Sequence, residues 1–252
     1  MKNYKETLLF KKPMINFCRV FFLTIALILL ASVPGYTQSE IPSPIEGFRF
    51  QVSVFGGGGQ QQIDVGTTTE GDLVKISPGG GGGAKISVGY FLSPLFDINL
   101  EIGTQQSSLE ELQNAEGSFS RNFFLGTLRY AFPISEKNAI NIGGGAGYYI
   151  GGKLNLELSQ VPGGAHLICD YNSSAGFHAL AEFESYFTNW TRWSALWSWS
   201  IGLKYYQVSY DLKCVSVNGI TVPGHQIPLQ GRNEFSPLDG TSVNVVFSIN
   251  MR

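Results

Sequence analysis

Charge is scarce in this chain of 252 residues: 14% are Asp, Glu, Lys or Arg, and 17 basic residues against 19 acidic leave a formal net charge of −2. A nucleic-acid partner needs a basic excess to offset its phosphates, so no nucleic acid is expected. Histidine and cysteine are nearly missing, with 3 of each. His166, His178 and His225 are scattered without the spacing of a ligand set, which points to no metal site and no cofactor. Long apolar runs are missing as well, apart from one near the amino terminus. Past residue 38 nothing approaches the ~20 apolar residues of a spanning helix. If the remainder crosses a membrane, it must do so as a closed sheet.

The one apolar run, Val20 to Leu30, is broken only by Thr24; Lys2, Lys5, Lys11, Lys12 and Arg19 precede it and Ala31-Ser32-Val33-Pro34-Gly35 follows. A basic region, a short apolar region and a small, turn-prone exit form the plan of a secretory signal peptide. We expect 1–38 to be the export signal, with Met14 as an alternative start, 39–47 a short lead-in, and 48–252 a single domain. Cys18 precedes the apolar run, which is the wrong place for lipid attachment after cleavage.

What the chain has instead is 31 glycines, 13% aromatic residues and alternation. From Ala175 to Tyr210, Phe177, Ala179, Ala181, Phe183 and Phe187 share one face and His178, Leu180, Glu182, Glu184 and Tyr186 the other. A turn, TNWTRW, leads to a second arm in which Trp197, Trp199, Ile201, Leu203 and Tyr205 oppose Ser198, Ser200, Gly202, Lys204 and Tyr206. Each arm has about the 9–11 residues of a tilted membrane strand. The same two-residue period runs through 48–55, 84–92, 96–103, 121–132, 139–150 and 243–251. This predicts an all-β fold, an up-and-down antiparallel barrel of about eight strands.

The connections alternate. Short ones fall at Ser93-Pro94, 133–138 and 188–194, and long ones at 56–82, 105–118, 151–174 and 211–240. Outer-membrane barrels place short turns on the periplasmic side and long loops outside. One face of each strand is apolar and the other mixes charge, amide, hydroxyl and glycine. A soluble barrel turns the apolar face inward around a ligand, whereas a membrane barrel turns it outward. The period alone permits either. The membrane case is favoured by Trp190, Trp193, Trp197 and Trp199, all the tryptophans of the chain, which gather with Phe187 at one short turn as an interfacial girdle would.

With its exported amino terminus and the strand-turn-strand stretches YFLSPLFDINLEIG and YAFPISEKNAINIGGGAGYYIGG, the chain resembles the small eight-stranded outer-membrane β-barrels of Gram-negative bacteria, the OmpA, OmpX and OmpW class and the broader outer membrane protein beta-barrel domain family. The resemblance covers 48–252 and rests on pattern. It implies residence in the cell outer membrane, contact with its lipid, and a structural or surface-interaction role in which the external loops meet any extracellular ligand or partner. Oligomeric state is left open. The alternatives are a narrow channel or transporter for small hydrophobic molecules, a secreted soluble ligand-binding barrel, and a lipid-modifying barrel enzyme.

In the membrane arrangement Arg49, Lys85, Asp97, Glu101, Arg121, Arg129, His178, Glu182, Glu184 and Lys204 face the lumen. Charges in a narrow interior are costly unless paired, so a salt-bridge network filling the lumen is expected; an ion path is the sharper alternative. Catalytic residues are not expected: Glu182 and Glu184 are two apart on a strand, and His178-Ala179-Leu180 lacks the His-x-Ser of lipid A deacylase barrels. The glycine runs at 56–59, 79–83 and 143–145 open no helix and carry no Lys-Ser/Thr, which excludes a phosphate loop. Cys169 and Cys214 fall in the long loops of one side, placed for a disulfide in an oxidising compartment.

Overall fold

The computed structural model describes residues 47–67, 73–93, 95–108, 115–135, 137–158, 165–187, 197–226 and 237–251, all within the compact unit Glu40–Arg252. The expected export signal, Trp190 and Trp193 lie outside the described residues.

In chain order the strands are β1 (Phe48–Gly59), β2 (Ile63–Thr67), β3 (Leu73–Ile76), β4 (Gly81–Ser93), β5 (Phe96–Ser108), β6 (Ala115–Ser135), β7 (Asn138–Leu158), β8 (Ala165–Tyr171), β9 (Ser174–Phe187), β10 (Trp197–Tyr210), β11 (Leu212–Val217), β12 (Ile220–Pro223), β13 (Leu238–Asp239) and β14 (Ser242–Met251). Eight of them close a ring: β1, β4, β5, β6, β7, β9, β10 and β14, which pairs back onto β1. Every pairing is antiparallel and follows chain order. Closure pairs the backbone of each wall strand on both sides, the condition for crossing lipid without a helix.

Alternation gives the wall its two surfaces, and the structure supplies their orientation. On β1, Phe48, Phe50, Val52 and Val54 are 48–61% exposed, whereas Arg49, Gln51 and Ser53 are buried inside the ring. The other strands follow suit: Ile86, Val88, Ile98, Leu100, Ile102, Leu203, Val245 and Phe247 face out, and Lys85, Ser87, Asp97, Glu101, Lys204, Asn244 and Ser248 face in. A water-soluble barrel has the reverse arrangement.

At one end β4 joins β5, and β6 joins β7, through two residues each. At the other end the four stretches expected as loops contain paired strands, which corrects that expectation. β2 and β3 form a hairpin within 56–82. β5 and β6 stay paired to Ser108 and Ser118, and β8, β11 and β12 occupy much of 151–174 and 211–240. At 21 residues each, β6 and β7 are about twice as long as a spanning strand needs to be. Their outer halves continue, with β8, β11 and β12, as a sheet rising from the wall in the order β6-β7-β8-β11-β12. The β11–β12 turn is Asn218-Gly219, both at positive φ (48° and 85°), the backbone that a two-residue hairpin needs.

A bulge separates wall from sheet. Asn122 pairs with Ile150 but Ser120 with Lys153, so one residue of β6 opposes two of β7, and Gly151 takes φ +67° to accommodate the extra residue. The inward phase of β7 thereby passes from Tyr149 to Leu154 and Leu156. Above the bulge, Ile76, Phe119, Leu154, Leu156, Cys169, Tyr171, Tyr210, Leu212 and Leu238 belong to one buried cluster, with Phe119, Tyr171 and Tyr210 rings 5.9–6.4 Å apart. Phe55, Phe123, Tyr149 and Tyr206 belong to the same cluster, so one continuous core runs from the lumen up into the sheet.

Cys169 and Cys214 are both free, which corrects the expected disulfide. Cys169 pairs with Val215, and Cys214 with Asp170. Adjacent positions on a strand point to opposite faces, so the two sulfurs lie on opposite sides of the β8–β11 ribbon. Cys169 is buried in the outer core, and Cys214 directs its Sγ to Asp170 Oδ2 at 3.6 Å.

Candidate functional site: the filled lumen and its outer mouth

The ten ionisable residues expected to face inward are buried inside the ring and fall into levels. Nearest the short turns, Arg129 grips Asp97 with both arms, Nε to Oδ1 at 2.8 Å and Nη2 to Oδ2 at 2.9 Å. Its Nη1 lies 3.6 Å from Glu182 Oε2. Arg49 bridges Asp97 at 3.5 Å and Glu184 at 3.3 Å. Glu184 also accepts hydrogen bonds from Asn141 (2.7 Å), Tyr186, Asn250 and Ser198. Bidentate, multiply bonded carboxylates are the form in which buried charge is tolerable.

Midway, Lys85 and Lys204 both bind Glu101 Oε2, at 2.8 and 2.6 Å. Thr127 Oγ1 donates its one proton to Glu101 Oε1 at 2.6 Å, so the 2.8 Å contact between Thr127 and His178 must have His178 Nε2–H donating to the hydroxyl. That polarity is opposite to a nucleophile–base pair, in which the hydroxyl would give its proton to the imidazole.

Above this level lies an aromatic layer that the sequence reading did not single out. Phe55, Phe123, Tyr149 and Tyr206, from β1, β6, β7 and β10, pack with ring centroids 6.0–6.4 Å apart. Tyr206 and Tyr149 share the inward phase of Lys204 and Asn141 in the sequence, which was the available signal; Phe55 and Phe123 were assigned to neither face. Room for the long side chains comes from glycine: a Cβ on Gly143 would stand 2.7 Å from Arg129 Cγ, and one on Gly202 2.7 Å from Glu182 Cγ.

At the mouth Arg121 takes a different set of partners. Its guanidinium donates to Gln105 Oε1 (2.6 and 3.0 Å), Gly240 O (2.7 Å) and Ser242 Oγ (3.3 Å), and lies 5.3 Å from the centre of the Tyr149 ring. No carboxylate pairs with it among the described residues. The aromatic faces and four neutral hydrogen bonds replace one. Arg121 thereby ties β5, β6 and the Gly240–Ser242 segment together over the lumen.

An apolar outer belt around a charged, hydrogen-bonded interior is what lipid requires of a sheet. The chain is a small transmembrane β-barrel of the outer-membrane type. Aromatic residues ring its short-turn rim more widely than the tryptophan cluster suggested: Phe48 packs on Tyr90 (5.5 Å), Phe96 on Tyr130 (4.7 Å), and Trp199 between Phe183 (5.9 Å) and Phe247 (6.5 Å), with Phe187 and Trp197 beside them.

No family model matches the sequence, and comparison with curated proteins finds no relative. Among solved structures the barrel is similar to Neisserial surface protein A (11% identity, 81% of this chain and 95% of that one, TM-score 0.45). It is also similar to Ail, the attachment invasion locus protein of Yersinia pestis (13%, 82% and 98%, TM-score 0.41), and to outer membrane protein AlkL (12%, 86% and 92%, TM-score 0.34). The assignment rests on the barrel's own two surfaces.

Proposed function

We propose that this barrel is a non-conducting, non-enzymatic surface protein whose wall serves as a rigid stand for the protruding sheet. The observation that carries the reading is the far end of that sheet. β12 is its last strand and leaves one edge unpaired among the described residues, with Val217, Ile220 and Val222 exposed, Ile220 at 73%. An unpaired edge bearing apolar side chains is a surface that an extended segment of another molecule can complete. The levels of charge and aromatic rings across the lumen support the absence of conduction, and the donor direction at Thr127 supports the absence of hydrolysis.

Planar-bilayer recording with purified, heat-modifiable protein tests the reading. A silent bilayer is the expected result, together with labelling of Thr221→Cys, in a Cys214→Ser background, on intact cells by a membrane-impermeant maleimide. Discrete conductance steps would replace the surface reading with the channel.

A further inference from the structure

Outside the lumen a concavity of about 850 Å³ lies where the lipid belt ends on β9 and β10. Its wall is the outward face of the last rungs of the ladder, where Gln207 pairs with Phe177. Its upper lip is the segment around Asp239, set beside Ser209 by the β10–β13 pairing. Four bonds fix that lip: Gly240 N–H to Val208 O (2.9 Å), Gln60 N–H to Thr241 O (2.9 Å), Asp239 N–H to Gln61 Oε1 (2.6 Å) and Thr241 N–H to Asp239 Oδ1 (2.8 Å). The hollow is therefore built into the fold.

Its chemistry is specific. After those bonds, the amides of Gln60 and Gln207, the Nε2 of Gln61, the Ser209 hydroxyl and Asp239 Oδ2 have no partner among the described residues, and the described lining holds no Lys, Arg or His. Side-chain amides, a hydroxyl and a carboxylate oxygen form an array of donors and acceptors suited to vicinal hydroxyls, with no cation among the described lining residues to neutralise a phosphate. Phe177, 68% exposed, offers a flat apolar face below them for the C–H side of a ring.

Directly beneath, small residues replace the larger ones of the lipid face. Gly144 pairs with Ala179, and Ala146 with Phe177, so outward-facing small residues on β7 and β9 leave a trough leading down from the hollow into the belt. A head group and a chain thus have adjoining places. We infer that this hollow binds the uncharged saccharide head group of a glycolipid in the outer leaflet, its acyl chain lying in the trough at Gly144 and Ala179.

The test uses the refolded full chain in an amine-oxide detergent and native mass spectrometry, with dodecyl maltoside, free maltose and dodecyl phosphocholine as probes. One dodecyl maltoside should be retained per chain, at least about tenfold more tightly than either other probe, the worth of one or two neutral hydrogen bonds. Gln207→Leu should lose that margin with heat-modifiability unchanged, and Ala179→Phe, which fills the trough, should weaken dodecyl maltoside alone. Equal retention of dodecyl phosphocholine, or full retention by Gln207→Leu, overturns the saccharide site. Maltose bound as tightly as its dodecyl derivative overturns the glycolipid assignment. None of these outcomes bears on conductance or on β12, so the site and the surface reading fail separately.

Discussion

At the residue scale the lumen is governed by which carboxylates serve more than one cation. Glu101 holds both Lys85 and Lys204, so its loss strands two buried ammonium groups. Glu101→Leu is expected to destabilise the barrel by about 3–5 kcal/mol in urea unfolding from lipid vesicles, because an uncompensated buried charge costs more than the pair contributed. Glu101→Gln, which keeps one acceptor oxygen for the two lysines, should lose less. An equal loss in both variants would mean that shape, not charge, matters there. These residues were legible in the sequence because charge on one phase of a two-residue period must go somewhere sheltered. The aromatic layer was not, since Phe55 and Phe123 resemble lipid-facing residues until strand phase is followed to its end, and periodicity says nothing about which face is outside.

At the element scale the two cysteines show how register overrides proximity in sequence. Placing both in loops on one side made a disulfide reasonable, but β8 and β11 pair so that Cys169 meets Val215. Maleimide at pH 8 should label Cys214 and leave Cys169 untouched in the folded barrel, because burial, reinforced by Asp170, pushes the Cys169 thiol up to about 12 and almost no thiolate exists to react. Val215→Cys, directly opposite Cys169, should give a reducible cross-link with Cys214 still free, seen by intact mass with and without reductant. A native cross-link between Cys169 and Cys214 would contradict the register. The sheet carrying them was hidden because Gly151-Gly152 looks like the end of a strand, while in the fold it is only a change of phase.

At the scale of the whole molecule, the proposed closure of the lumen is redundant. The aromatic layer and the Glu101 level each cross the lumen, with the Asp97–Arg129–Glu184 level beyond them. Phe123→Ala is therefore expected to remain silent in planar bilayers like the unaltered chain, since the levels of charge beneath it stay intact. Conductance gained from that single change would make the aromatic layer the only seal. Overall architecture was the most legible feature of the sequence, because a regular exchange of short and long connections constrains every strand at once.

The bulge at Gly151 has a consequence for how such a molecule can vary. Below it, insertions are constrained by the closed ring, where one added residue turns a whole strand inside out. Above it the phase has already been reset, and β8 and β11 pair with one another, with β7 and with β12, outside the closed ring. The sheet can therefore grow or shrink in pairs of residues, keeping Cys169 and Val215 toward the core, while the wall stays the same. Parity divides the chain into a part that must be inherited intact and a part whose length is free to drift in steps of two.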